Sequence, residues 1–385
     1  MPIDEYLISG SILCGEDFDV VEGYICIRDG VIAEICEEPG RVDALAHGIV
    51  LPAFVNAHTH LGDSVLKDPP ITDIASLVRP PDGLKHRVLR ETGTHDLVHA
   101  MQASICDMAA TGTCAFADFR EGGLPGVLAL MRAIDAATSS GCAGAVDAVI
   151  LGRPGRDRGG GEDGVAGDGV DEIDSILELA GGIGISSTSD YVEGFAAAVA
   201  ERTRRQGGFF AIHAGELDST DIRGALELDP DLLIHLVHAS RDDLRRIAEE
   251  NIPVVVCIRS NLVTRVGIPP VKEMLAQGLL VAAGTDNVMF NSVDIFSEMK
   301  FLSSLCQIDE GQVLRICTRA GALALGLNCG VIESGLDARV MVLDKDSCNL
   351  TGAKNVLRSV VRRARAGDIV FCSGNAGVGT DARMQ

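Results

Sequence analysis

From residue 49 onward the chain alternates two patterns. Short apolar runs fall at 49–57, 113–118, 143–151, 183–188, 209–213, 232–237, 253–257 and 279–285. Each has the length of a strand. Between several of them apolar residues recur at helical spacing. Val192, Phe195, Ala196, Val199 and Thr203 mark one helical face, Leu244, Ile247 and Ala248 a second, and Ile295, Met299 and Leu302 a third. Eight strands with intervening helices predict an α/β chain folded as a (β/α)8 TIM barrel rather than an open doubly wound sheet.

The two chain ends differ from this middle. Residues 8–13 and 23–28 alternate or run apolar, and Asp29-Gly30 is a hairpin signal before 31–35. Residues 339–344 and 356–361 also read as strands. Together they predict a small β-sandwich domain formed by both ends, 1–50 plus 335–385, around a barrel at 51–334. Residues 152–172 are a loop by composition, rich in Gly, Arg and Asp. Following the third strand, this loop would lie at the catalytic face. Two readings stay open for it: a lid that carries Arg153, Arg156 or Arg158 to an anionic substrate group, or a surface excursion.

The strand ends hold the candidate chemistry. His58 and His60 close the first run, and at i, i+2 they face the same side of a strand. His213 ends the fifth run, His235 lies in the sixth, and Asp286 follows the eighth. Singly these residues carry little. A His-x-His is a common accident, and an Asp after Gly-Thr can be a helix cap. Jointly, at strand ends in a repeating βα layout, they predict convergence on a metal. Histidines with a carboxylate suit one divalent ion, zinc with iron as the alternative.

Composition narrows the partners. The formal net charge is −22, so the chain repels a nucleic-acid backbone and no nucleic acid is expected as a partner. No Gly-x-Gly-x-x-Gly opens a helix after the first strand, and no Gly-Lys-[Ser/Thr] occurs, which disfavours both common phosphate-binding loops. The 12 cysteines are dispersed without a Cys-x-x-Cys and read as small core residues of a reducing compartment. No apolar run has the length of a membrane helix, and the N-terminus lacks a signal-peptide layout. A cytoplasmic protein acting on a small molecule, with no membrane partner, is expected; a homo-oligomer stays open. With no Trp and 3 Tyr, a substrate ring would be oriented by hydrogen bonds and apolar walls more than by stacking.

The longer motifs carry a resemblance. These are Leu51-Pro52-Ala53-Phe54-Val55-Asn56-Ala57-His58-Thr59-His60, His213-Ala214-Gly215-Glu216, Ile234-His235-Leu236-Val237-His238-Ala239, Arg259-Ser260-Asn261-Leu262 and Gly284-Thr285-Asp286-Asn287. As a set they resemble the amidohydrolase superfamily, in the branch of cytosine deaminase, guanine deaminase, chlorohydrolases and methylthioadenosine/S-adenosylhomocysteine deaminase. The resemblance covers nearly the whole chain. It implies His58, His60, His213 and Asp286 as metal ligands and Glu216 as proton shuttle. It implies that His235 hydrogen-bonds the attacking water or the developing oxyanion, with His238 the less favoured choice. Asp286 would also orient the water and accept a proton. Two-metal relatives bridge their ions with a carboxylated lysine at the end of the fourth strand. Here no lysine occurs between Lys85 and Lys272, so one ion is expected; Asp118 or Glu121 is conceivable as a bridge but has no motif behind it.

The function expected from this is hydrolytic deamination of a ring amidine such as a purine, pyrimidine, pterin or nucleoside. The alternatives are cleavage of a cyclic amide or a carbon–halogen bond at the same site, and a metal-binding barrel without catalysis. Substrate contacts are expected from Arg259, Asn261, Asn287 and Asn291, with Arg259 the anchor for an anionic or carbonyl group.

Overall fold

The computed structural model describes residues 5–37, 43–71, 73–79, 82–142, 146–154 and 168–373. Arg156 and Arg158 lie outside the described residues. Four strands come first: β1 (Glu5–Cys14), β2 (Asp19–Arg28), β3 (Val31–Cys36) and β4 (Ala46–Pro52). The central series is β5 (Phe54–His60), β6 (Thr113–Arg120), β7 (Asp147–Gly152), β8 (Gly182–Ile185), β9 (Phe209–Ala214), β10 (Leu232–His235), β11 (Val254–Val256), β12 (Val281–Ala283) and β13 (Asp286–Asn287). Two more, β14 (Val340–Leu343) and β15 (Ile369–Cys372), follow.

The central series forms one 9-stranded parallel sheet in the order β12-β11-β10-β9-β8-β7-β6-β5-β13. The sheet curls in the manner of a TIM fold. β12 pairs with β11, while β13, just beyond Gly284-Thr285, pairs with β5 through Asp286↔Thr59 and Asn287↔His60. Asn56 pins this return. Its Nδ2 donates to Thr285 Oγ1 at 2.8 Å, and its Oδ1 accepts from the Thr285 N–H at 3.0 Å. Gly284 permits the close approach, because a Cβ there would stand 2.7 Å from the Cβ of His58.

Alternation along the strands divides the core. Ala211 on β9 and Leu232 and Ile234 on β10 belong to one apolar cluster, with Phe119, Leu151, Val255 and Ala282. Phe210, Ile212 and Leu233 belong to the larger cluster, shared with the flanking helices. This period of two is the expected geometry of strands buried on both faces. The predicted helical faces are present in Phe195–Arg205, Arg241–Glu249 and Ile295–Leu305.

Both chain ends do meet, but the expected sandwich is replaced by one 6-stranded mixed sheet, ordered β15-β14-β4-β1-β2-β3. β1 pairs antiparallel with β2 from Glu5↔Arg28 to Cys14↔Asp19 and parallel with β4. The apolar run at 49–57 therefore serves both sheets: β4 ends at Pro52, the Ala53 N–H donates to the Arg339 carbonyl at 2.9 Å, and β5 begins at Phe54.

A second correction concerns 356–361, which is not a strand. It begins a helix, Val356–Arg363, whose N-cap Asn355 accepts from the Arg358 N–H at 2.7 Å. Leu357, Val360 and Val361 stand at i, i+3 and i+4, the spacing of a helix face. Among the described residues no helix is long and apolar enough to cross a membrane.

Candidate metal and catalytic site

His58, His60, His213 and Asp286 are brought together by the ends of β5, β9 and β13. One ligand atom from each lies within 4.8 Å of the others. His58 Nε2 is 3.3 Å from His213 Nε2 and 3.2 Å from Asp286 Oδ1; His60 Nε2 is 3.5 Å from the same oxygen. The backbone bends to achieve this. The β5–β6 register shifts between Asn56 and Thr59, and Asp286 sits at φ 56°, a left-handed conformation uncommon outside glycine.

The outer nitrogens of two rings decide which atoms face inward. His213 Nδ1–H donates to the Ile185 carbonyl at 2.8 Å. His60 Nδ1 lies 3.2 Å from the Phe119 carbonyl and 2.8 Å from Glu121 Oε1. A proton held on Nδ1 leaves the lone pair on Nε2. His213 and His60 thus turn lone pairs inward, His213 Nε2 to 3.3 Å from His58 Nε2 and His60 Nε2 to 3.5 Å from Asp286 Oδ1, and such a gathering of acceptor atoms is satisfied by a cation among them. The residues present thus fit a divalent metal, and the nitrogen–oxygen donor set is that of zinc sites.

Burial also sets protonation. It lowers His58, His60 and His213, His60 to about 3 with the help of the nearby Lys85 charge. Burial works against ionisation of Asp286, but the His58 hydrogen bond and the surrounding histidines outweigh it and hold the carboxyl well below its usual range. His86, half-buried against the Val78 carbonyl, is likewise pushed from 6.5 to about 3 by desolvation and the nearby Lys85 charge. In the unfolded chain such rings take up protons near 6.5, whereas in the folded chain they do not. Their contribution is therefore fully present above 6.5 and is lost as the pH falls from 6.5 toward 3. Urea unfolding of metal-free protein should show stability falling across that window.

Beside the cage stands a second group, Glu216, His235 and Asp286. His235 Nε2 is 3.6 Å from Glu216 Oε2. Regular alternation would put His235 on the same face as Leu233, away from the cage. A φ of 78° at His235 breaks the strand and turns the ring inward. Its Nδ1–H donates to Asn261 Oδ1 at 3.0 Å, so Nε2 is the nitrogen directed at Glu216. Burial raises the Glu216 carboxyl, with His235 opposing.

Three neighbours on the helix Ile258–Thr264 diverge because successive helical residues point about 100° apart. Asn261 reaches His235. Ser260 Oγ–H donates to Asp286 Oδ2 at 2.5 Å, leaving Oδ1 to the histidines. Arg259 turns the other way, which corrects the expectation that it anchors substrate. Its Nε donates to Glu298 Oε1 at 2.6 Å, Nη1 to Ser292 Oγ at 3.2 Å, and Nη2 to the carbonyls of Ser292 and Asp294 at 2.7 and 3.2 Å. Glu298 is fully buried. Arg259→Met leaves that carboxylate without its cation and should cost about 3–5 kcal/mol of stability in chemical unfolding.

A cavity of ≈ 340 Å³ opens over the cage. His60, His213, Glu216, His235, Ser260, Asp286 and Asn287 line it on the cage side, and Arg79, Lys85, Arg153, Ser187, Asp190 and Phe290 line it elsewhere. Of the expected substrate contacts, Asn287 is on its wall. Arg259, Asn261 and Asn291 are not. Sequence reasoning did not single out Ser260 or Lys85 for a role. Lys85 is 4 % exposed, with its Nζ 2.9 Å from Asp63 Oδ2 and 2.6 Å from Glu121 Oε1. Glu121, conceivable from the sequence as a metal bridge, has its Oε1 2.8 Å from His60 Nδ1, the nitrogen on the outer side of that ring. Ser260 had a signal in the quoted Arg259-Ser260-Asn261 motif. Lys85 had none, since its carboxylate partners lie far away in sequence.

Comparison with known proteins follows this geometry. A profile described as "Amidohydrolase family" matches residues 49–376. An uncharacterized protein of Methanocaldococcus jannaschii is 34 % identical over 386 residues, covering 94 % of this chain and 96 % of its own. A 5-methylthioadenosine/S-adenosylhomocysteine deaminase of Halobacterium salinarum is 26 % identical over 427 residues, covering 96 % of this chain and 92 % of its own. The crystal structure of an atrazine chlorohydrolase from Arthrobacter aurescens TC1, complexed with zinc, aligns at a TM-score of 0.77 with 17 % identity, covering 97 % of each chain. At that identity the likeness is one of fold.

Proposed function

The chain belongs to the amidohydrolase family, and from that premise we propose that it is a mononuclear zinc-dependent hydrolytic deaminase of a ring amidine, releasing ammonia from a purine, pyrimidine, pterin or nucleoside. It is a hydrolase acting on carbon–nitrogen bonds other than peptide bonds, with a divalent metal site. In this reading the barrel, residues 51–334, is the catalytic domain, and 1–50 with 335–385 form the accessory one. The observation that carries the proposal is Glu216 paired with His235 directly beside the cage.

A divalent ion held by His58, His60, His213 and Asp286 supplies Lewis acidity and lowers the pKa of water to roughly 7. The protein's own groups do the rest. Glu216 takes one proton of the attacking water and delivers it to the ring nitrogen, making the adjacent carbon electrophilic; it then takes the second proton, from the hydroxyl so formed on that carbon, and passes it to the amine, which leaves as ammonia as the ring carbonyl forms. A carboxyl raised by burial suits a group that must both accept and return a proton near neutral pH. His235 stabilises the negative charge that develops on the former water oxygen. Asn261 holds its ring, and Ser260 holds Asp286. Asn287, which lines the cavity, orients the substrate ring in this reading.

His235→Ala should lose about 2.7–4 kcal/mol of transition-state stabilisation if it acts as such a donor, read as a fall in kcat at unchanged zinc content. Ammonia release by zinc-loaded protein from nucleobases, nucleosides and pterins tests the reaction class. Release matched by a carbonyl product supports it. Turnover only of a halogenated ring or a cyclic amide assigns the same cage to those substrates instead. No turnover by protein carrying its ion favours a barrel without catalysis.

A further inference from the structure

One buried side chain beside the cage has no part in the chemistry above. In the helix Leu84–Glu91 the buried residue is Lys85, while Leu84, Val88 and Leu89 stay partly exposed. A helix normally packs through an apolar stripe, and a lysine is almost never fully buried unless it is paired. This helix is fastened to the barrel by a charge instead. Lys85 Nζ lies 2.9 Å from Asp63 Oδ2 and 2.6 Å from Glu121 Oε1. Asp63 belongs to the turn Leu61–Val65 directly after His60, and Glu121 directly follows β6. Both carboxylates are buried.

The two oxygens of Glu121 have separate partners. Oε2 accepts from Arg120 Nη2 at 3.1 Å. Oε1 faces Lys85 at 2.6 Å and His60 Nδ1 at 2.8 Å, with Arg153 Nη1 farther off at 3.6 Å. Lys85 therefore holds the oxygen that stands against the outer nitrogen of a cage histidine. The setting of that ring decides where its Nε2 points, and carboxylates on the outer nitrogen hold metal-binding imidazoles in place.

The same lysine reaches the outer wall of the cavity. Ile74, Ala75, Val78 and Arg79 line that wall. Their segment, the helix Ile74–Val78 with its C-cap Arg79, is tied to the helix of Lys85. His86 Nε2–H donates to the Val78 carbonyl at 3.0 Å, and the Gly83 N–H donates to the Arg79 carbonyl at 2.8 Å. Withdrawing Lys85 from its carboxylates thus loosens the wall and frees the His60 ring together.

We propose that Lys85 is a positioning residue that couples the metal cage to the cavity wall. Seated between Asp63 and Glu121, it fixes the His60 ring through Glu121; an ion in the cage in turn keeps the helix Leu84–Glu91 seated. The two effects are one coupling free energy and are equal in size. The inference rests on the cage holding a divalent ion, not on which bond is hydrolysed.

Zinc affinity, measured on the full chain by competition with a chelator, tests it in wild type and in Lys85→Met, which keeps an apolar stem and removes the charge. The variant should bind zinc about ten- to a hundredfold more weakly, the range for losing a partner of a metal ligand. Cobalt(II) loaded in place of zinc reports the ligand arrangement in its visible bands, and the variant's bands should differ from those of the wild type. Lost packing alone would lower the unfolding midpoint and move neither reading. Glu121→Gln should weaken zinc by a similar factor, and Lys85→Met added to it should cost little more, because both act through one oxygen. Hydrogen exchange needs no substitution and decides alone if Lys85→Met does not fold. In the wild type, zinc should slow the amides of Leu84–Glu91 by about the same ten- to hundredfold. Those of Arg241–Glu249, a helix that does not line the cavity, should change much less. Wild-type zinc affinity with unshifted cobalt bands in Lys85→Met overturns the coupling, as does exchange in Leu84–Glu91 that ignores zinc. Weakened zinc binding upholds it even if no substrate releases ammonia, in which case the deaminase reading alone fails. Ammonia release by a Lys85→Met protein that holds zinc as tightly as the wild type does the reverse.

Discussion

Glu216→Gln should leave the protein folded and metal-loaded while kcat falls by ~10²–10⁴-fold, the usual range for losing a general acid–base group. The amide has the size and shape of the carboxyl but cannot take a proton from water and return it. Glu216 is not one of the four cage residues, so zinc content should stay at the wild-type level. Its side chain is 22 % exposed on the cavity floor, so the substitution disturbs no tightly packed core. KM should move little, because the lost interaction is made in the transition state rather than in the ground state. Metal analysis and steady-state ammonia release on the same preparation separate the two effects. A variant turning over at the wild-type rate removes Glu216 from the chemistry.

His213→Ala should act on the metal itself. His213 presents Nε2 to the cage and fastens its other nitrogen to Ile185, so its loss removes one of the four cage atoms. The variant should purify with little bound ion and show no activity above background. Wild-type protein should lose thermal stability when treated with a chelator, because an ion present at about 100 times its Kd stabilises the folded state by about 2.7 kcal/mol. The variant should be nearly indifferent to the same treatment. A variant that still carries one tightly held ion would show that the cage is not the metal site.

The meeting of His58, His60, His213 and Asp286 was legible in the sequence because they sit at the ends of apolar runs, where strand geometry fixes direction. Much of the parallel sheet was legible for the same reason: the runs at 113–118, 209–213 and 232–237 match β6, β9 and β10 closely, although eight strands were expected and the ninth, β13, was not. His235 was found by its motif alone. Its register predicts the opposite face, and only the local positive φ brings it in. The errors have physical sources. Residues 356–361 carry too few apolar positions to separate a period of 2 from one of 3.6, and the Asn355 cap was the deciding signal. Arg259 was misplaced because one residue of helix turn changes direction by about 100°, and Glu298, its partner, lies 39 residues away. Lys85, Asp63 and Glu121 meet only in three dimensions, and ion pairs between distant segments leave no period to read.

Hydrolytic deamination puts an oxygen atom of water into the product, and following that oxygen tests the proposed reaction most directly. Zinc-loaded protein is incubated in isotopically labelled water with an amino-substituted ring, and the product is weighed by mass spectrometry while ammonia is counted. One labelled oxygen in the ring product is expected for each ammonia released, with both signals lost together in Glu216→Gln. Ring product formed without ammonia, or ammonia released without uptake of solvent oxygen, would contradict it.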